Sequence, residues 1–371
     1  MAGSNDLYSP TLTERSGQEF VLSLKLLANG AAQRHVRDEF ASQLANQVAA
    51  ASAAAAPGSV QRQALQRALS RTQSYRSWAV LAHASQSMMW RAIEATAQRV
   101  APQGSQRLAA LKPRGSLQLD PNLAIPPPIG NTEIHRQPGG YVGGDDPRDV
   151  LAGLRYLGAS RIYAPGKGND MEATDARGAF LVSEIRRRFG AFAPRRILDL
   201  GCGIGVASQA VARAFPDAEY HAVDVAAGLL RFAHLLAEER GLALHLYQRD
   251  AAHCGFPNGH FDLIVSNILF HETNSARLPQ ILRECHRVLS SGGHMCHVDV
   301  PTQHSRLGLA DQFMNEWQVR WNGEPFWEAF AQIDMRQQIT AAGFADDLVF
   351  AEHVSRPGAS PAYVFGATQA S

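Results

Sequence analysis

The stretch Arg196-Ile197-Leu198-Asp199-Leu200-Gly201-Cys202-Gly203-Ile204-Gly205-Val206 decides the fold. An apolar run passes into three alternating glycines and then into a helical pattern, so it reads as strand, glycine loop and helix. Isoleucine and leucine ahead of Asp199 suit a buried parallel strand. The glycines let the backbone turn sharply and approach a ligand closely, with a helix N-terminus behind them. Such a loop grips a nucleotide-like cofactor. The dinucleotide fingerprint G-x-G-x-x-G is not met: counted from Gly201 its last position falls on Val206, and from Gly203 on Ser208. The spacing speaks against NAD.

Downstream, Glu219 to Asp224 reads as a second strand ending in an acid, at the distance where a doubly wound fold places its ribose-binding carboxylate. A third strand is expected at Leu244 to Ala251 and a fourth at Phe261 to Asn267. A helix from Ser275 to Leu289, a turn at Ser290-Ser291-Gly292-Gly293, and a fifth strand from His294 to Val300 follow. An antiparallel pair near Leu348 to Glu352 and Ala362 to Thr368 closes the pattern. With Asp199 in the acid position, the loop resembles the acid-x-G-x-G-x-G motif of class I S-adenosylmethionine-dependent methyltransferases, and the order of elements is similar to that family's from about Asp175 to Ser371. The resemblance implies an α/β fold, a Rossmann-like doubly wound seven-stranded methyltransferase sheet, with S-adenosylmethionine as cofactor. It implies cofactor contacts from Asp199, Gly201, Cys202, Gly203 and Gly205, from Asp224 and Val225 at the ribose, from Asp250 and Ala251 at the adenine edge, and from Asn267 near the methionine end.

At 371 residues the chain exceeds one average domain. Three segments are expected: an N-terminal all-helical domain at 1–115, a Pro/Gly-rich connecting lid at 116–174, and the cofactor domain at 175–371. Thr11 to Asn29 suits a helix closed by Gly30, and Ala31 to Ala56 is alanine-rich up to Pro57-Gly58. Ser59 to Val100 sets Trp78, Leu81, Met88, Met89 and Ile93 on a helical stripe ahead of Ala101-Pro102. Helices of this kind pack against others of the same chain or of a second copy, so the domain covers the substrate or builds a homodimer. The net charge of +1 gives no field for nucleic acid or an anionic membrane and suits a small-molecule acceptor. Cys202, Cys254, Cys285 and Cys296 form no C-x-x-C pair, and no run approaches the ~20 apolar residues needed to span a bilayer. A cytoplasmic protein is expected.

The connecting segment carries Pro126-Pro127-Pro128 and Pro138-Gly139-Gly140, with Glu133, His135, Arg136, Tyr141, Arg161, Tyr163 and Lys167. Polar rings and guanidinium groups on glycine-hinged loops suit an active-site lid; a surface loop with ordinary turn chemistry is the other reading. At the tip of the fourth strand, Asn267-Ile268-Leu269-Phe270-His271-Glu272 offers His271 as general base, since neutral imidazole with an ordinary pKa near ~6.5 accepts a proton at cellular pH. Capping the strand or packing on cofactor is the alternative role for His271, and His135 and Tyr141 are further catalytic candidates. Three of the five tryptophans, Trp317, Trp321 and Trp327, fall within Asp311 to Phe330. They read as an aromatic acceptor wall or as core; with Arg136, Tyr163 and Glu272 they make up the expected substrate pocket. His253, Cys254 and His260, and again His294, Cys296 and His297, lack zinc-finger spacing and read as structural, so no metal is expected. The expected function is methyl transfer to a small molecule in bacterial biosynthetic or secondary metabolism, to oxygen ahead of nitrogen or carbon because of His271. A non-catalytic cofactor-binding regulator and an NAD-dependent oxidoreductase are the alternatives.

Overall fold

The computed structural model describes residues 7–44, 46, 65–143, 150–166, 173–302, 318–356 and 359–370. Helix α1 (Leu12–Leu27) begins at Thr11, whose hydroxyl accepts the Glu14 N–H while the Glu14 carboxylate accepts the Thr11 N–H, a capping box. Gly30 does not stop the helix as expected. The chain runs through a π-helical turn, Ala28–Ala32, into α2 (Gln33–Glu39). Beyond Leu44 the alanine-rich stretch lies almost wholly outside the described residues. Helix α3 (Gln73–Ala109) is capped by Thr72 and carries Pro102 inside it rather than beyond its end. Of the expected stripe it buries Trp78, Met89 and Ile93, leaves Leu81 and Met88 half-buried, and buries Trp90 besides. Helices α4 (Leu151–Gly166) and α5 (Ala173–Phe189) follow.

The sheet is built from β1 (Ser116–Gln118), β2 (Arg196–Leu200), β3 (Glu219–Asp224), β4 (Leu244–Gln248), β5 (Phe261–Asn267), β6 (Leu289–Asp299), β7 (Val349–Arg356) and β8 (Ala359–Thr368). Helices α6 (Val206–Ala214), α7 (Ala227–Glu239) and α8 (Leu278–Val288) connect parallel strands, and the short α9 (Trp327–Ala331) and α10 (Met335–Ala341) precede β7. The order is β1-β4-β3-β2-β5-β6-β8-β7, with β8 antiparallel to both of its neighbours and the remaining pairs parallel. All seven expected strands are present. The eighth, β1, comes from the segment expected to be a connecting lid and extends the sheet beside β4. Strand β6 also absorbs the expected turn at Ser290–Gly293.

Ile197, Leu198 and Leu200 are buried because parallel strands are covered on both faces, which is why β2 reads as a continuous apolar run. One core layer joins Leu7, Val21, Trp90 and Ile93 of the N-terminal helices to Ile162 of α4 and to Leu229 and Phe232 of α7. The helices thus sit directly on the cofactor side of the sheet. Chain order reverses between β2 and β5, and the crevice outside their carboxyl ends is where an open α/β sheet takes its ligand.

Candidate active site

The loop after β2 adopts the left-handed backbone at Gly201, Gly203 and Gly205, with φ of 67°, 55° and 74°. The Gly201 N–H donates to the Val223 carbonyl at 2.8 Å, fastening the loop to β3. Asp224 ends β3; its Oδ2 accepts the Gly203 N–H at 2.8 Å and its Oδ1 the Ala226 N–H at 2.9 Å. Each oxygen keeps a lone pair for a further donor. A methyl group added to Gly203 would meet no protein atom within 4 Å, so the loop faces open space there. That space is a cavity of about 300 Å³ whose wall includes Gly201, Cys202, Gly203, Asp224, Val225, Asp250, Ala251 and Asn267. The Asn267 side-chain N–H₂ is buried with no partner among the described residues. Asp250 pairs with Arg277 and accepts the Ala252 N–H.

Two residues of the expected cofactor set do not line the cavity. Asp199 lies beneath the loop, where its Oδ2 accepts hydrogen bonds from Ser208 (2.6 Å) and Tyr220 (3.0 Å). Burial pushes its pKa up to about 7 in spite of those bonds. It braces the turn from inside. Gly205 is the N-terminal cap of α6.

The same cavity continues to His135, Tyr141, Tyr163, His271, Glu272, Glu324 and Trp327. His271 is 2% exposed, with Nδ1 2.7 Å from Asp299 Oδ1 and Nε2 3.4 Å from Glu324 Oε2. Burial opposes its charge, but Asp299, Glu324 and Glu272 outweigh burial and hold its pKa up at about 10. The expected neutral base is therefore an imidazolium clamped among carboxylates. Tyr141 donates to Glu272 Oε1 at 3.0 Å, and burial together with the Glu272 charge holds the phenol well above its ordinary pKa. In this state the neutral phenol is a hydrogen-bond donor to Glu272. Tyr163 stands in the same relation to Glu324 Oε1, at 3.1 Å.

The His135 ring lies between these acids, Nε2 3.2 Å from Glu272 Oε1 and Nδ1 3.3 Å from Glu324 Oε1. His135 and Arg136 both have φ near the left-handed value, 55° and 56°. Two such non-glycine residues in succession are strained, and strain of this kind persists where surroundings over-determine it. Here the His135 carbonyl accepts from Gln86 Nε2 (2.8 Å) and Trp90 Nε1 (2.7 Å), and its N–H donates to the Gly323 carbonyl (2.7 Å). Lys25, one of three lysines in the chain, donates to Gln86 from α1. Among the described residues Ile268, beside Asn267, is the third non-glycine residue with positive φ, at 62°.

Arg136 and Trp321, expected in the pocket, are not among its lining residues. Arg136 Nε donates to the Trp321 carbonyl at 3.1 Å, and the Trp321 ring packs against the N-terminal cluster around Val36 and Trp78. Trp327 does line the cavity, its ring 5.3 Å from His271. Trp317 lies outside the described residues. Asp299, Glu324, Gln86 and Trp90 escaped the sequence reading. Asp299 had a signal, since it closes a parallel strand with an acid as Asp199 and Asp224 do; Glu324 in Gly323-Glu324-Pro325 had none. His294 stacks on Phe189 and His297 bonds to Ser266. Among the described residues, no group of three or more His, Cys, Asp or Glu side chains is arranged to hold a metal.

A doubly wound sheet with an antiparallel penultimate strand, a glycine cradle after β2 and a carboxylate closing β3 defines a domain that binds a nucleoside-containing cofactor. Residues 197–293 match the family model described as a methyltransferase domain, and in glycine loop and strand order they are similar to the class I S-adenosylmethionine-dependent methyltransferases. It is similar to a demethylmenaquinone methyltransferase of Thermus thermophilus, 37% identical over 109 residues, 29% of this chain and 49% of that one. It is also similar to a malonyl-[acyl-carrier protein] O-methyltransferase of Methylococcus capsulatus, 35% identical over 156 residues, 41% of this chain and 52% of the relative. The chain thus spans about half the length of these relatives. Among solved structures, phosphoethanolamine N-methyltransferase 2 of Haemonchus contortus in complex with S-adenosyl-L-methionine matches 51% of this chain and 52% of its own, at 16% identity and a TM-score of 0.40. S-adenosylmethionine is the cofactor of this class. The open side of Gly203, the spare lone pairs of Asp224 and the orphaned Asn267 amide fit it.

Proposed function

We propose that the chain transfers the methyl group of S-adenosylmethionine to a small molecule bound beside His135, Glu272 and Glu324. The continuity of the cavity carries this reading: the glycine loop and Asp224 wall one part, the two glutamates and His135 another, with no protein layer between. The cofactor would rest on the loop backbone, Asp224, Asp250, Ala251 and Asn267, and it supplies a methyl on a sulfonium, open to in-line displacement. The chain's own task is then to hold the acceptor in near-attack geometry and exclude water, an effect worth ~7–11 kcal/mol when complete.

In this reading the helices of 1–115 and the segment 116–174 are the cover, supported by Gln86, Trp90 and Tyr141 in the cavity wall. His271 and Tyr141 hold the glutamates in position. The expectation of an oxygen acceptor rested on a neutral His271, and the imidazolium removes that support. The near-neutral net charge favours a small acceptor over nucleic acid. Calorimetry with S-adenosylmethionine and S-adenosylhomocysteine, followed by a methyl-release assay over a panel of small acceptors, tests the proposal. Binding of both without turnover of any acceptor would favour a non-catalytic regulator, and tight NADH binding with no response to either would overturn the cofactor.

A further inference from the structure

We infer that the acceptor is an amine, received as its ammonium form by Glu272 within an aromatic wall; this rests on the methyl-transfer reading above. Glu272 is the acid with an open valence. Its Oε1 is taken by Tyr141 and His135, whereas Oε2 has no partner among the described residues, and the side chain lines the cavity. Around it stand the rings of Tyr141, Tyr156, Tyr163 and Trp327. Trp327 is 8% exposed, and its indole N–H is buried without a partner. Aromatic faces beside a carboxylate attract a cation twice over, through the ring quadrupole and through charge.

The charge balance of the chamber points the same way. Three carboxylates, Asp299, Glu272 and Glu324, gather around His271 and His135. An oxyanion acceptor would meet like charge from Glu272 and Glu324, and a hydroxyl acceptor would lack a free imidazole, since His271 is engaged with Asp299. Attack by an amine instead builds positive charge on nitrogen, which neighbouring carboxylates stabilise in the transition state. The bound ammonium first gives a proton to Glu272; the freed nitrogen lone pair then forms the new N–C bond, the C–S bond breaks with its electrons left on sulfur, and the product leaves as the methylated ammonium. Arg177 also lines the cavity, so an anion is the competing ligand and belongs in the test.

Three probes of one shape separate the cases: phenethylamine, 2-phenylethanol and phenylacetate, titrated calorimetrically into protein saturated with S-adenosylhomocysteine. Phenethylamine should bind at least about tenfold more tightly than either of the others. Glu272→Gln should abolish that advantage while its affinity for S-adenosylhomocysteine stays at the wild-type level. Equal or reversed ranking, no amine binding at millimolar concentration, or a full advantage retained in Glu272→Gln would each overturn the inference. If Glu272→Gln does not fold, Glu324→Gln takes its place with a reduced advantage expected. Failure of S-adenosylhomocysteine to bind wild-type protein would be the separate failure of the methyl-transfer reading, and the three titrations on unloaded protein would then decide the amine question alone.

Discussion

The protonation of His271 can be read from stability. The folded chain holds that proton to about pH 10, and an unfolded histidine releases it near ~6.5. For a raised folded pKa, the stabilising contribution is complete below the unfolded value and is lost as pH rises toward the folded one. Between about pH 7 and about pH 8.5 the folded chain carries nearly one proton more than the unfolded chain. At about 1.4 kcal/mol per unit, stability should fall by about 2 kcal/mol across that window. Asp199, raised to about 7, and the buried thiols of Cys202, Cys254, Cys285 and Cys296, set against a free-thiol value of ~8.5, add to the decline inside this window, so the share of His271 is read as the difference between wild type and His271→Gln. Urea unfolding followed by circular dichroism at several pH values gives the slope directly. In His271→Gln the absolute stability should drop, because Asp299 is left buried without its partner, by ~3–5 kcal/mol. The decline between about pH 7 and about pH 8.5 should be smaller than that of wild type by about 2 kcal/mol. A wild-type stability that stays level across the window, or the same decline in His271→Gln, would refute the imidazolium and restore His271 as a candidate base.

Other outcomes follow from the same geometry. Asp224→Ala removes a charged acceptor whose hydrogen bonds contribute ~1.5–3 kcal/mol each, so calorimetry should show S-adenosylhomocysteine affinity lowered at least about tenfold; unchanged affinity would remove Asp224 from the cofactor site. Gly203→Ala places a methyl in the cavity at φ 55°, and should cost about 1 kcal/mol of stability yet weaken the cofactor by more than that; equal losses would mean that the methyl does not reach the ligand. His297 is buried against Ser266 and burial depresses its pKa to about 3, so it folds neutral. Its contribution is intact above ~6.5 and falls by about 2 kcal/mol as pH drops to about 4.5. His297→Leu should flatten that acid limb in the same unfolding assay, and an unchanged limb would assign it to other groups.

The glycine-loop half of the candidate site was legible because its geometry is local. Gly201, Gly203 and Gly205 share one turn, and Asp224 sits where the continuous burial of β3 ends, so strand pattern and glycine spacing locate them together. Asp199 was misassigned for an equally local reason. An acid at a strand end reads the same whether it faces the ligand or, as here, turns inward to Ser208 and Tyr220.

The acceptor half could not be read in this way, because it is assembled from segments far apart in the chain. Lys25 reaches Gln86, Gln86 and Trp90 hold the His135 carbonyl, and His135 separates Glu272 from Glu324. Apart from Gln86 and Trp90, one turn apart on α3, these spacings have no helical or strand period, and only the fold brings the residues within hydrogen-bond distance. The left-handed pair His135–Arg136 marks where that assembly is strained, and the hydrogen bonds that hold it come from α3 and from the loop that carries Glu324. Removing the Trp90 donor should therefore act at a distance. Trp90→Phe keeps the ring but leaves the His135 carbonyl with Gln86 alone, so the acceptor KM should rise by about threefold to tenfold, the equivalent of one hydrogen bond of ~0.5–1.5 kcal/mol. S-adenosylhomocysteine affinity should stay unchanged, since Trp90 is not part of the glycine loop or its carboxylates. A Trp90→Phe variant that loses cofactor and acceptor affinity equally would show that Trp90 supports the whole fold rather than the placement of His135.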